Sequence, residues 1–194
     1  EDYEERIIEQ FIRYSGRPVF SMEAATCHPL QAFADVITIE EHKKCDKPKV
    51  VLTWAPHPKA LPQAVPNSFA EWCVAAGYDV VIDGCKIAYT GMGGMSISGG
   101  NFTIKSASEG GEGLESKATM TISGGNFYFN TYDDCINAAS ALVISGGNIR
   151  AVATGNDAID SNGSMTISGG VTLASGTHDP EEGLDVDQAS KLSI

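Results

Sequence analysis

One short phrase occurs four times in the second half of this chain, and it leaves few folds open. Ser96-Ile97-Ser98-Gly99-Gly100-Asn101-Phe102 returns as Thr121 to Phe127, as Val143 to Ile149, and, without its Asn, as Thr166 to Val171. The repeated isoleucines are Ile97, Ile122, Ile144 and Ile167, steps of 25, 22 and 23 residues. A period of that length, made of short apolar alternations and glycine turns, specifies a solenoid, because each repeat buries its apolar face only by stacking on the next. Met95/Ile97, Met120/Ile122, Leu142/Ile144 and Met165/Ile167 alternate with Ser, Thr or Val, the period of a strand with one buried face. Beyond each Gly-Gly corner, Phe102/Ile104, Phe127/Phe129, Ile149/Ala151 and Val171/Leu173 are expected inside in the same way. The corner glycines permit positive φ and a sharp bend. Asn101, Asn126 and Asn148 are expected to stack there as an amide ladder. Three short strands per turn predict a right-handed parallel β-helix of about four rungs over residues 95–194. Leu192 and Ile194 restart the alternation of a further rung, so the helix is expected to be incomplete at that end.

A second motif interleaves with the first: EGLES at 112–116, DCINA at 134–138, DAIDS at 157–161 and EGLDV at 182–186. Stacking puts Glu112, Asp134, Asp157 and Glu182 in one column. It puts Glu115, Asn137, Asp160 and Asp185 in another. Like charges one strand spacing apart, ~4.8 Å, oppose folding. Water and salt relieve that at an exposed edge; a divalent cation relieves it better. Carboxylates, amides and carbonyls are hard oxygen donors that select Ca²⁺ over zinc or copper. The residues leave two readings open: calcium sites at Glu112, Asp134, Asn137, Asp157, Asp160, Glu182 and Asp185, or a solvated acidic edge. Tyr128 and Arg150 alternate with inward positions and so point outward, with Tyr132 close by. An aromatic face stacks on a sugar ring and Arg pairs with a uronate; the alternative is ordinary surface residues.

Residues 95–194 resemble the carbohydrate-binding β-helix family of bacterial surface proteins, whose rungs carry a D-G-I-D-type turn before an I-S-G-G strand. The resemblance implies calcium and a polysaccharide partner, with acidic glycans bridged by the cation. The rival within this architecture is a polysaccharide lyase, which needs a cationic base near the bound uronate. Lys105, Lys117, Arg150 and Lys191 are the cations of this half.

Residues 1–82 are written differently. Seven of the eight prolines precede residue 67, whereas eighteen of the 21 glycines lie at or after Gly91. Such a change of turn chemistry marks a boundary, set here at a junction over residues 83–94. Ile7, Ile8, Phe11 and Ile12 recur at helical spacing; Arg17 to Phe20 reads as a short buried strand. Pro29 starts a helix with Leu30, Phe33, Ala34 and Ile37 as its apolar stripe. Val50, Val51, Leu52 and Trp54 form a strand, Ser68 N-caps a helix through Phe69, Trp72 and Ala76, and Tyr78 to Ile82 is another strand. The alternation predicts a Rossmann-like α/β sheet with sites at helix N-termini. His28 and Gln31, in the first turn of one such helix, share a face and can together hold a small polar group.

Two stretches of this half, GRPVFSMEAATCHPLQAFADVITIEEHKK and KPKVVLTWAPHPKALPQAVPNSFAEW, followed by YDVVI, resemble transcarbamylases of the N-acetylornithine/N-succinylornithine branch. The resemblance implies that His28 and Gln31 contact carbamoyl phosphate and that Glu23 and His57 lie near the amino-acid substrate. It implies carbamoyl transfer to an acylated ornithine in arginine biosynthesis, with no metal or cofactor. Cys27 replaces the family's usual Arg before His28, and the family's Ser-x-Arg-Thr-Arg and Cys-Leu-Pro segments have no counterpart. The segment therefore reads as the end of one domain and the start of the next, and no activity is expected of it.

The formal net charge is −12. Residues 1–94 hold 9 basic and 13 acidic residues, and residues 95–194 hold 4 and 12. An acidic solenoid excludes nucleic acid as a partner, since that requires Lys/Arg to neutralise phosphates. Five widely spaced cysteines without a CxxC pair support neither zinc nor a disulfide framework. There is no transmembrane run, signal peptide or initiator Met, and both ends read as cut. Three readings follow. One is a carbohydrate- and calcium-binding module carrying a silent transcarbamylase fragment, one is a carbamoyltransferase, and one is an artefactual join of two genes. The first half implies the cytoplasm, the second the cell surface.

Overall fold

The computed structural model describes residues 5–53, 63–83, 87–91, 93–106, 109–177, 180–187 and 191–194. Three helices and two strands come first: α1 (Arg6–Ser15), α2 (Pro29–His42), β1 (Lys49–Thr53), α3 (Ala64–Ala75) and β2 (Asp79–Asp83). Four three-stranded turns follow. The first is β3 (Ile87–Gly91), β4 (Met95–Ile97) and β5 (Asn101–Lys105); the second is β6 (Glu112–Ser116), β7 (Thr119–Ile122) and β8 (Asn126–Thr131). The third is β9 (Ile136–Ala138), β10 (Ala141–Ile144) and β11 (Asn148–Ala153); the fourth is β12 (Ile159–Ser161), β13 (Ser164–Ile167) and β14 (Val171–Ser175). β15 (Leu184–Val186) and β16 (Leu192–Ser193) add two sides of another turn.

The turns stack as a parallel β-solenoid with three sheets, as the repeat predicts. One sheet runs β3-β6-β9-β12-β15, the second β4-β7-β10-β13-β16, and the third β1-β2-β5-β8-β11-β14. Like residues meet like. Ile97, Ile122, Ile144 and Ile167 form one column, and Met95, Met120, Leu142 and Met165 another. Met120, Ile122, Leu142 and Ile144 are completely buried, each side chain contributing ~1.5–3 kcal/mol by leaving water. Phe102 and Phe127 stack with ring centroids 4.9 Å apart. At the corner, Gly100, Gly125, Gly147 and Gly170 all take φ between +85° and +112°, where any side chain is strained.

The third sheet has six strands because the helical segment lends it two. β1 pairs in parallel with β2 across the α3 crossover, and β2 then pairs with β5 in register, Asp79 to Asn101 and Ile82 to Ile104. The larger Rossmann-like sheet expected here is not found among the described residues. Instead, Val80 and Ile82 join the solenoid core, and α3 covers its end with Ala70 and Cys73 buried and Val74 against Gly100. The amide ladder forms and extends one residue beyond expectation. Asn148 Nδ2 donates to Asn126 Oδ1 (2.9 Å), Asn126 Nδ2 to Asn101 Oδ1 (2.8 Å), and Asn101 Nδ2 to Asp79 Oδ1 (2.8 Å).

Four local expectations are corrected. Arg17–Phe20 is an exposed coil with Phe20 79% accessible; among the described residues no strand lies beside it to share its hydrogen bonds. The stripe Leu30, Phe33, Ala34 and Ile37 is exposed; α2 buries Ala32 and packs Val36 and Ile39 against the core instead. Ser68 lies inside α3, which starts at Ala64, and its hydroxyl accepts the His28 backbone N–H at 2.8 Å. In the fourth turn Val171 and Leu173 point outward, 65% and 58% exposed. The Gly-Gly corner stacks on the previous one, so Val171 takes the position of the missing Asn and Thr172 that of Ile149. Trp54 lies outside the described residues.

Asp79 ends the ladder with a charged acceptor. Asp79→Ala is predicted to lower stability by ~1 kcal/mol, about 2–4 °C in Tm for a chain of this size, while Asp79→Asn retains most of it. Thermal unfolding followed by circular dichroism checks this; an unchanged Tm for Asp79→Ala would contradict the ladder's role.

Candidate functional site

Alternation along each strand of the six-stranded sheet leaves one set of residues outside, and register aligns these in rows across the strands. The corner row is Lys49, Asp79, Asn101, Asn126, Asn148 and Val171; the middle row is Val51, Val81, Thr103, Tyr128, Arg150 and Leu173. A shallow groove of about 660 Å³ runs over these rows from Lys49 in β1 to Leu173 in β14. At its centre the Arg150 guanidinium lies 5.4 Å from the Tyr128 ring centroid, a cation–π pair between neighbouring strands that fixes the ring's orientation. Both residues remain exposed. A ladder Asn spends its carbonyl and one N–H on its neighbours, and an amide carries a second N–H, so a row of donors flanks the aromatic face. The arrangement offers a flat ligand stacking, hydrogen bonds and a cation. Tyr132 is not part of it: its ring lies over Gly155 at the next corner, where a Cβ would come within 2.5 Å.

That next corner carries the acidic columns. Main-chain bonds hold it: Gly113 N–H donates to Asp134 O, Leu114 N–H to Cys135 O, and Ala158 N–H to Glu182 O. The predicted stacking is present, with Glu115, Asn137, Asp160 and Asp185 in register. Each turn treats its charge differently. Glu115 is 5% exposed and bound by Lys117 Nζ, with Thr90 Oγ1 donating at 3.3 Å. Lys117 is thereby committed, which removes one of the four cations open to a lyase. Asn137 replaces a charge and donates to Asp134 Oδ2 at 3.1 Å. Asp157 accepts the Glu182 backbone N–H. Asp134 is 5% exposed and its Oδ1 has no hydrogen-bond partner among the described residues. Burial, and then Asp160, Asp133, Asp157 and Glu112, push its carboxyl up to about 8. Burial and the Asp185, Asp157 and Asp187 charges push Asp160 up to about 6. Glu112 is half-buried, Glu182 exposed and Asp185 half-buried. The donors are all oxygens, as calcium requires. Among the described residues, no three His, Cys, Asp or Glu side chains converge as a ready-made metal cage.

In the helical segment His28 and Gln31 meet in the first turn of α2, as expected. His28 N-caps α2, its Nδ1 accepting the Gln31 backbone N–H at 3.4 Å; the Gln31 amide donates to Asp35 Oδ1 at 2.9 Å. Glu23 is exposed and His57 lies outside the described residues. Asp79 and Lys49 escaped the sequence reading of the site, although Asp79 precedes Asn101 by 22 residues, one solenoid period.

Comparisons with known proteins meet this geometry from both sides. A family model described as carbohydrate-binding domain-containing protein matches residues 68–158, from α3 to the start of the fourth turn, and so includes β2. The chain is 54% identical over 129 residues to the N-succinylornithine carbamoyltransferase of Bacteroides thetaiotaomicron, a match covering 65% of this chain and 40% of that protein. It is 74% identical over 81 residues to the N-succinylornithine carbamoyltransferase of Bacteroides fragilis, 42% of this chain and 26% of that protein. It is 38% identical over 84 residues to the N-acetylornithine carbamoyltransferase of Xanthomonas axonopodis pv. citri, 42% of this chain and 24% of that protein. The chain thus spans less than half the length of each of these relatives. It resembles both a carbohydrate-binding solenoid and part of a carbamoyltransferase.

The raised carboxyls make stability depend on pH. A carboxyl whose folded pKa lies above its unfolded value holds its proton better in the folded state, so stability is greatest below ~4 and falls as pH rises through the folded value. With chelator present, Tm is predicted to fall between pH 4 and pH 8, the window that Asp134 and Asp160 span. Asp134→Asn is predicted to flatten the upper part of that fall and raise Tm at pH 8 by about 2–4 °C per kcal/mol recovered. A Tm that climbs over this window would contradict the account.

Proposed function

We propose that this protein binds carbohydrate on the outer face of its six-stranded sheet, with Tyr128 as the stacking platform and Arg150 as its charged contact. The observation that carries the reading is the groove over Tyr128, Arg150 and the Asn ladder, whose central residues fall within the span 68–158 matched by a carbohydrate-binding family model while its two ends at Lys49 and Leu173 lie outside it. Aromatic and Arg side chains held in place beforehand bind at small entropic cost. On this reading Tyr128→Ala weakens polysaccharide binding at least about tenfold and leaves the Tm within a degree or two. Affinity electrophoresis against a panel of neutral and acidic polysaccharides measures it; equal retardation of wild type and variant would remove Tyr128 from the site.

Calcium at the acidic corner belongs to the same proposal. What supports it is the buried Oδ1 of Asp134, without a hydrogen-bond partner among the described residues, in a site where burial and the neighbouring carboxylates push the Asp134 carboxyl up. A divalent cation there relieves the repulsion without protonation. Asp134, Asp157 and Asp160 would draw together around it, since they do not already converge, with Asn137, Glu112, Glu182 and Asp185 beside them. Calorimetric titration of Ca²⁺ into the full chain is predicted to give saturable binding that Asp157→Asn weakens. Absence of heat and of any gain in Tm would leave a solvated acidic edge.

The carbamoyltransferase-like segment is proposed to be catalytically silent in this chain. Gln31 is occupied by Asp35, His28 caps its own helix, and Glu23 is exposed. The identity to carbamoyltransferases favours the second reading, that this chain transfers a carbamoyl group. Citrulline-type product formation from carbamoyl phosphate and acylated ornithine would establish that reading.

A further inference from the structure

The carbohydrate groove does not stop where the solenoid repeat begins. Its first two strands, β1 and β2, belong to the carbamoyltransferase-like segment, and their outward residues Lys49 and Val81 line it together with Tyr128 and Arg150. Lys49 and Arg150 lie four strand spacings apart, in β1 and β11 of one sheet. At ~4.8 Å per spacing that is ~19 Å, about the length of four linked pyranose rings. Both cations are exposed in a chain whose net charge is −12, so an anion is drawn to this face against the general field of the molecule. Among the described lining residues Asp79 is the groove's carboxylate, and it is engaged by Asn101 at the corner.

We propose that β1 and β2 extend the glycan-binding face and that Lys49 is a second cationic subsite, so that the ligand is a linear acidic oligosaccharide lying across the strands and reaching from Arg150 to Lys49. This rests on the carbohydrate-binding function proposed above. It gives the carbamoyltransferase-like segment a role in binding: its strands lengthen the site and Lys49 selects for charge at the far end.

The test uses the full chain and a size series of oligouronides from disaccharide to hexasaccharide, with the neutral oligosaccharides of the same lengths beside it. Affinity is expected to rise up to about the tetrasaccharide and then level off. Lys49→Ala is expected to weaken tetrasaccharide binding roughly three- to fivefold, as for an exposed ion pair, while disaccharide binding and Tm stay unchanged. Lys49→Arg restores the affinity, and added salt shrinks the difference. Wild-type binding that Arg150→Ala weakens and Lys49→Ala does not would overturn the extension alone. Affinity independent of length would overturn it too. Failure of the wild-type chain to bind any glycan in the series would overturn the carbohydrate reading and the extension together.

Discussion

Parallel, in-register stacking is the constraint from which the rest of this structure follows. Each residue of one turn lies against its counterpart in the next, so every column must tolerate its own repetition. Isoleucine and methionine columns fill the interior, as Met120, Leu142 and Met165 do without accessible surface. Amides repeat well because each can donate to one neighbour and accept from the other, and the run from Asn148 to Asp79 uses that polarity. The carboxylate ends the run because it accepts and does not need to donate. The same rule admits β2 to the sheet: its outward Asp79 and Val81 and its inward Val80 and Ile82 repeat the pattern of β5.

Stacked carboxylates obey the same constraint at a cost. The second, third and fourth turns meet it with different devices. Lys117 neutralises Glu115, Asn137 replaces an acid, and Asp157 accepts a backbone N–H, while Asp134 is left with one oxygen unsatisfied. A buried carboxylate with one oxygen unsatisfied and other acids beside it either takes up a proton or takes a cation. The proton makes the corner pH-sensitive, and the proposed cation makes it calcium-sensitive. Both act at the corner between sheets, away from the flat outer face on which the glycan is proposed to lie.

Much of the solenoid is legible in the sequence because its signals are periodic. The isoleucine column, the Gly-Gly corners, the Asn ladder and the acidic columns all follow from spacing alone. What escaped reading lacked either the repeat or its neighbours. Val171 follows a corner without Asn, so alternation counted from the apolar residue ran one position out of step; pairing to Asn148 decides it. Leu30, Phe33 and Ile37 look like a core stripe, yet which face of α2 turns inward depends on where α3 and β2 stand. Lys49 is separated from Asp79 by the α3 crossover, longer than a solenoid turn, so no period exposes it. Tyr128 and Arg150 were placed outward by alternation, and it took the register to bring one ring beneath the other's guanidinium.

Two stretches of unlike sequence make one hydrogen-bonded sheet. Hydrogen–deuterium exchange across β1, β2 and β5 tests it most directly. The amides of Asp79–Asp83 are expected to exchange slowly and together with those of Asn101–Lys105, since each strand pairs with the other through Asp79–Asn101 to Asp83–Lys105. Fast exchange over Asp79–Asp83 beside a protected Asn101–Lys105 would contradict it, and would return the helical segment to being a separate appendage of the solenoid.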